Sequence, residues 1–308
     1  SKAIAKFQRV SPRKTRLVAK NVQGLGVEEA MNLLRFTPNK PAGVIYGVLK
    51  SALAQTLPAF MVPAHVVVLA QMPRGRVQLE IGIQSTNPRT LARVSRVNHW
   101  DRIAGNITRL LSFHNMHLHV DLIIGLPEEG MASFARSFNE VYALQPDMLQ
   151  LGFLKVLKGS FMYQAAPEYG CVCQSREPYE VLYTRWLPYD DVLRLKLVEE
   201  MVEVYYNSNQ FGKTLRAIEK LFDNPFALYE ALGAFYDKKG YMDISHTRIR
   251  RYEILQEFLQ EYVDEEQMDY YRQLMICDLY ARENMKTRPA WAKDLKAYKR
   301  DIREFYLK

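Results

Sequence analysis

Strict alternation of apolar and polar residues in two short segments constrains the fold of this 308-residue chain more than any other feature. In Val77–Gln84, the apolar residues Leu79, Ile81 and Ile83 alternate with polar ones, and His117–Ile124 repeats the pattern. A period of two residues is typical of a β-strand that buries only one of its faces. Both segments are therefore predicted to be strands with one polar face.

Helical segments separate these strands. Asn87-Pro88 combines a capping residue with a proline at the first helical position, and further helices are predicted over Trp100–Phe113 and Met131–Leu144, before a third strand at Met148–Leu154. Strands that alternate with helices indicate parallel β-α units. Because polar residues recur on one face of successive strands, we predict an open half-barrel of three parallel strands.

Helical segments also flank this region, so the predicted fold class is mixed α/β and mostly helical. Leu17, Val18 and Val22 are predicted to share the buried face of the first helix, and Val66–Leu69 is a candidate extra strand covering a sheet edge. An exposed edge of a half-barrel favours self-association. The predicted organisation has four parts: a three-helix head at 1–54, a junction at 55–76, a partial barrel at 77–165 and a helical C-terminal domain at 166–308.

Composition excludes several classes of protein. With 48% hydrophobic and 25% charged residues the chain is unlike a disordered protein. Three cysteines are too few for a disulfide framework, which favours a reducing compartment and a cytoplasmic location. The longest apolar stretch, Leu57–Ala70, is interrupted by prolines and is shorter than the about 20 residues of a membrane span, so no membrane segment is expected.

The positive charge is concentrated at the N-terminus. Residues 1–54 hold ten basic and two acidic side chains, which accounts for the whole net charge of +8. A cationic segment on an electroneutral body indicates a polyanionic partner for that segment alone, although a solvated helix face is the alternative.

The same segment resembles the N-terminus of the bacterial large-subunit ribosomal protein L-twenty-two family. The similarity runs through Ala3–Ala19 and continues at Val27–Ala30, Leu34–Pro38 and Val48–Ala52. It implies contact with ribosomal RNA through the basic side chains Lys6, Arg9, Arg13, Lys14, Arg16 and Lys20. That family continues into strands and a long basic hairpin, which nothing after Ala54 resembles.

The polar strand faces form a second candidate site, made of Glu80 and Gln84 on one strand and His117, His119 and Asp121 on the other. Two imidazoles and a carboxylate are ligands for a divalent metal. Residues two apart on a strand are about 7 Å apart, however, which is wide for a single ion. We therefore favour a ligand-lined lumen over a metal site at His117 and His119.

Residues 69–308 resemble the C-terminal half of cobalamin-type radical S-adenosylmethionine enzymes. Gln78–Thr86 is similar to their fourth strand, Gln150–Lys155 to their sixth, and the segment containing Pro178–Trp186 to their uncharacterised helical C-terminal domain. Asp121–Glu128 resembles the fifth-strand pattern GxIxGxxE, with Asp121 replacing the first glycine. The resemblance implies an S-adenosylmethionine pocket lined by Glu80, Gln84, Ser85, Asp121, Ile123 and Gly125.

These enzymes hold a 4Fe–4S cluster on a CxxxCxxC loop, and this chain lacks that motif. Its cysteines are Cys171, Cys173 and Cys277, so the thiolate ligands of the cluster are absent and no catalytic residue is assigned. The sequence predicts a chimera. Three functions follow as hypotheses: a truncated radical enzyme that is not competent alone, a ribosomal RNA-binding constituent of the large subunit, or a helical interaction scaffold.

Overall fold

The computed structural model describes residues 11–25, 27–37, 40–46, 63–96, 99–282, 287–292 and 300. The chain divides into two compact units. The first comprises residues 1–123 and 143–148, and the second comprises residues 124–142 and 149–308.

The N-terminal head of the first unit is helical, as predicted. Helix α1 spans Pro12–Val22 and α2 spans Val27–Phe36, while α3 is described over residues 40–46. Ser11 has extended backbone before the proline at the start of α1, and Gly24 has a φ of +86° just after its end. Glycine adopts this left-handed conformation without a steric penalty, so it lets the chain turn towards α2.

One residue from each helix forms the centre of the head. Val18, Leu34 and Ala42 are buried together, whereas Leu17 is 58% and Leu33 44% exposed. The sequence prediction wrongly placed Leu17 with the buried residues. Successive helical residues point about 100° apart, so the neighbours Val18 and Leu34 occupy the inside.

The junction contains a helix instead of the predicted extra strand. Residues Pro63–Ala70 form α4, which packs against α6 (Trp100–Leu111), so the proposed strand at Val66–Leu69 is wrong. The buried Asn115 side chain donates from Nδ2 to the carbonyl oxygens of Leu69 (2.9 Å) and Ala70 (3.3 Å). These bonds satisfy carbonyls that a helix end leaves without partners, and they favour a helix over a strand here.

The central sheet agrees with the prediction. Strands β1 (Val77–Gln84), β2 (Met116–Ile124) and β3 (Met148–Phe153) form a parallel sheet in the order β1-β2-β3. Their helical connections are α5 (Pro88–Arg93), α6 and α7 (Met131–Tyr142). Each strand buries alternate residues, and the Asn87 side chain caps α5 by accepting from the Arg89 N–H at 3.0 Å.

The second unit contains a hairpin and six further helices among its described residues. Strands β4 (Val172–Cys173) and β5 (Val181–Tyr183) pair antiparallel, which the prediction of an almost entirely helical segment missed. The helices are α8 (Phe161–Ala165), α9 (Tyr189–Met201), α10 (Gly212–Ile218), α11 (Pro225–Lys239), α12 (Arg248–Leu259) and α13 (Glu265–Arg282). A π-helix, Val202–Asn207, continues α9.

Aromatic residues fill the core of the second unit. Tyr205 is fully buried, and its hydroxyl lies 2.7 Å from that of Tyr236. Tyr271 is also buried, whereas Tyr270 is 56% exposed. No described helix is both long enough and apolar enough to cross a membrane.

A buried carboxylate fixes the start of α10. Asp278 on α13 accepts hydrogen bonds from the backbone N–H groups of Lys213 and Thr214 and from the Thr214 hydroxyl, at 2.7–3.1 Å. These N–H groups belong to the first turn of α10, where a helix has no internal acceptors and favours negative charge.

We expect Asp278→Ala to lower the free energy of unfolding of the second unit by about 2–4 kcal/mol, because three donors, two of them buried, lose a charged acceptor. Chemical denaturation followed by tyrosine fluorescence measures the change. Asp269→Ala, which removes an exposed carboxylate from the same helix, is the control. Equal effects of the two substitutions would contradict the role assigned to Asp278.

Candidate functional site

The exposed surface of α1 is strongly basic. Arg13, Lys14, Arg16 and Lys20 are all exposed, and α1 has no acidic residue in its first turn. None of the ion pairs in the described ranges involves these four side chains. Lys6 and Arg9 lie outside the described residues. The face therefore offers cationic groups to an anionic partner.

The second candidate site lies on the polar face of β1 and β2 in the first unit. The parallel register places Glu80 opposite His119 and Gly82 opposite Asp121. The rings of His117 and His119 meet edge to face with centroids 4.7 Å apart. The structure thus brings together the side chains that sequence analysis assigned to one face.

Gly82 makes room for two polar side chains on this face. A side chain at position 82 would collide with the Gln84 side-chain amide, and Arg96 Nη1 would lie 3.8 Å from its Cβ. Arg96 Nη1 donates to the Gly82 carbonyl oxygen at 2.7 Å, and Gln84 has a φ of +73°. Gln84 and Arg96 consequently gather around Gly82, and Asp121 lies opposite it.

Burial and neighbouring charges set the protonation of this face. Burial, reinforced by Glu80 and opposed by Arg96, raises the pKa of Asp121 to about 6. Burial lowers the pKa of Arg96, and burial together with His117 lowers the pKa of His119.

Two acceptor atoms at this site are buried without a hydrogen-bond partner among the described residues. They are Oδ1 of Asp121 and Oε1 of Gln84. Buried polar atoms are normally hydrogen-bonded, so this pair suits a ligand or water that supplies N–H or O–H donors.

The remaining predicted pocket residues have different surroundings. Ser85 is buried, and its Oγ accepts from the Asn87 N–H at 3.0 Å. Ile123 is half-buried and continues the Asp121 face of β2. Gly125, in the second unit, has a φ of +90°, and a Cβ there would lie 2.7 Å from Cγ1 of Val181. The close approach that Gly125 allows is therefore taken by Val181.

In the described part of the chain, no group of three or more His, Cys, Asp or Glu side chains is arranged to hold a metal ion. His117 Nδ1 lies instead 3.8 Å from Asp147 Oδ2, which accepts the Leu118 N–H at 2.9 Å. His117 and Asp147 also line a cavity of about 570 Å³ near the amino-terminal end of β2. Arg74 and His114 are further lining residues of this cavity.

Arg96 and Asp147 were not predicted from the sequence. Arg96 follows α5 and reaches back 14 residues to Gly82, and Asp147 lies 29 residues after Leu118. Neither residue belongs to a motif or a periodic segment. The only signal in the sequence for either residue was a charged side chain in a loop close to a predicted strand.

The cysteines do not fit an iron–sulfur cluster. Cys171 and Cys173 are partly buried at β4, whereas Cys277 is exposed on α13. Burial, and secondarily Cys173, raises the pKa of Cys171 to about 11. Iron–sulfur clusters require several thiolates at one site, and the described residues hold no group of three or more His, Cys, Asp or Glu side chains arranged around an ion, so no reaction step is assigned to such a cluster here.

Two family models match different parts of the chain. The model of ribosomal protein L22p/L17e matches residues 3–81, which extends past the predicted boundary at residue 54. The model described as a protein of unknown function, DUF4080, matches residues 167–308. The two ranges do not overlap.

Curated relatives agree with the first model. Residues of this chain are 98% identical over 54 positions to large ribosomal subunit protein uL22 of Desulfovibrio desulfuricans, covering 18% of this chain and 48% of the relative. The corresponding protein of Nitratidesulfovibrio vulgaris is 71% identical over 69 residues, 22% of this chain and 62% of that protein. That of Maridesulfovibrio salexigens is 40% identical over 99 residues, 32% of this chain and 86% of that protein.

The chain spans about half the length of the first of these relatives, and its C-terminal domain matches a different family. By its N-terminal segment the chain belongs to the uL22 family of large-subunit ribosomal proteins, and it is a chimera in which that segment is joined to a DUF4080 domain.

Proposed function

We propose that the head binds ribosomal RNA through the basic face of α1. The observation that carries this proposal is the exposure of Arg13, Lys14, Arg16 and Lys20 on a helix that packs into the head through Val18. The uL22 relatives are named as large-subunit ribosomal proteins, which supports the choice of RNA over other polyanions.

The mechanism is electrostatic. Each lysine or arginine placed on a phosphate releases condensed counterions, so affinity falls steeply as salt rises. Helix α1 is packed through its apolar side, so its cations are presented from a fixed backbone. Phosphate contacts of this kind position a protein on RNA without reading its sequence.

We expect the double substitution Arg16→Ala, Lys20→Ala to weaken binding to 23S-type ribosomal RNA fragments and to reduce the slope of log affinity against log salt by about 1–2. Gel shifts or fluorescence anisotropy over a salt series measure both. Arg216→Ala, an exposed arginine on α10, is the control. Binding that is independent of salt, or equally reduced by Arg216→Ala, would rule out the α1 face.

We further propose that residues 69–308 are the remnant of a radical S-adenosylmethionine enzyme that retains part of a nucleoside pocket without radical chemistry. Support comes from the parallel β1-β2-β3 order and from the two unpartnered acceptors, Asp121 Oδ1 and Gln84 Oε1. S-adenosylmethionine would supply N–H and O–H donors to these atoms. When bound beside a reduced cluster the cofactor supplies a radical, and the cysteines of this chain do not fit that cluster.

The pocket residues of this chain would act only in binding. Gln84 and Asp121 offer hydrogen-bond acceptors, and Arg96 holds the backbone at Gly82. No contact in the described part of residues 166–308 favours a helical interaction scaffold over these two functions.

Removal of one acceptor tests the pocket. We expect Gln84→Ala to weaken S-adenosylmethionine binding about tenfold in calorimetric titration, the effect of losing one buried hydrogen bond. Gln78→Ala, which truncates an exposed amide on the same strand, should leave the affinity unchanged. Absence of any binding to the unsubstituted chain would exclude the remnant pocket.

The raised pKa of Asp121 predicts a pH dependence of stability in the absence of ligand. Between its ordinary value of 3.8 and about 6, the folded state binds more protons than the unfolded state, so this group makes stability fall as pH rises through that window. We therefore expect Asp121→Asn to raise the melting temperature of the first unit above pH 6 and to flatten its pH dependence below that value. Thermal unfolding at several pH values measures this, with Asp101→Asn on α6 as the control. Parallel pH profiles for the original chain and Asp121→Asn would contradict the assignment.

A further inference from the structure

Strand β3 is an edge of the central sheet. It comes last in the order β1-β2-β3, so in the described part of the chain no strand of that sheet lies beside the backbone groups on its outer side. Edge strands with free N–H and C=O groups pair readily with another chain. The sequence prediction of self-association rests on such an edge.

The Asn207 side chain occupies this edge at Leu149. The Leu149 N–H donates to Asn207 Oδ1 at 2.9 Å, and Asn207 Nδ2 donates to the Leu149 carbonyl oxygen at 2.9 Å. A residue of a paired antiparallel strand exchanges the same two hydrogen bonds with its partner. The amide of Asn207 therefore takes the place that a residue of an added strand would fill.

The local structure holds Asn207 in this position. Asn207 is the last residue of the π-helix Val202–Asn207, and its Nδ2 also donates to Glu203 Oε2 at 2.9 Å. The carboxylate accepts only, so it fixes which end of the amide faces the Leu149 carbonyl.

Other groups protect the rest of the edge. Immediately after β3, Val156 N–H donates to the Tyr179 carbonyl oxygen and Val181 N–H to that of Leu154, both at 2.9 Å. Near the end of β3, the Lys196 ammonium lies 4.3 Å from the centre of the Phe153 ring and pairs with Glu180. A lysine at a sheet edge opposes strand addition because pairing would bury its charge.

We propose that Asn207 is an edge lock that prevents β3 from pairing with β3 of a second copy of this chain. Backbone groups of alternate residues point to the same side of a strand, so the partner strand would engage Leu149, Leu151 and Phe153. The amide must leave Leu149 before such a strand is added, so access to the Leu149 end of the edge depends on this one side chain.

The test compares Asn207→Ala with Gln273→Ala, which removes an exposed amide from α13 of the same unit. Light scattering coupled to size exclusion measures mass over a concentration series, and circular dichroism verifies folding. We expect Asn207→Ala to form dimers or larger species as concentration rises, while the original chain and Gln273→Ala do not change their mass.

Hydrogen exchange of the peptide 148–154 locates the contact. In dilute Asn207→Ala we expect exchange about tenfold faster than in the original chain, with protection restored in concentrated samples. If Asn207→Ala fails to fold, Asn207→Asp replaces it, because this variant keeps one acceptor for the Leu149 N–H. It should also show faster exchange at 148–154 and a mass that rises with concentration. A variant that folds, keeps its mass at every concentration and retains normal exchange at 148–154 would overturn the proposal.

Discussion

Parallel pairing of β1 with β2 is the constraint on which the candidate pocket depends. The register places Glu80 beside His119 and Gly82 beside Asp121, so the charged groups share one face while Leu118 and Val120 are fully buried on the other. A shift of one residue would exchange these faces and bury the imidazoles and carboxylates. The cost of burying such groups explains why the register is well specified by so short a pair of strands.

Gly82 and Gly125 both lack a side chain where other side chains of the protein pack closely against the backbone. At Gly82 the room is taken by the Gln84 amide beside Arg96, and at Gly125 it is taken by Val181. Only the first arrangement leaves buried acceptors without partners. This difference is why the proposed binding role rests on Gln84 and Asp121, and why Gly125 is explained by packing alone.

The two segments of this chain that match different families have different physical properties. The uL22 segment contributes exposed cations on a helix that packs through Val18, and such a face needs only phosphate to act. The DUF4080 domain contributes a core of buried tyrosines that bond to one another, as Tyr205 does to Tyr236. Hydroxyl pairs of this type satisfy buried polar atoms, so they are a sufficient explanation for the density of aromatics.

The sequence by itself determined the strands, their polar face, the capped helix start at Asn87, and the lack of cluster ligands, because alternation, capping and cysteine count are local properties. Tertiary structure alone decided which groups meet. It made Pro63–Ala70 a helix whose end is bound by Asn115, turned Leu17 outwards, and brought Arg96 to Gly82 and Asn207 to Leu149. These partners lie 14 to 58 residues apart, and local periodicity carries no information about contacts at such separations.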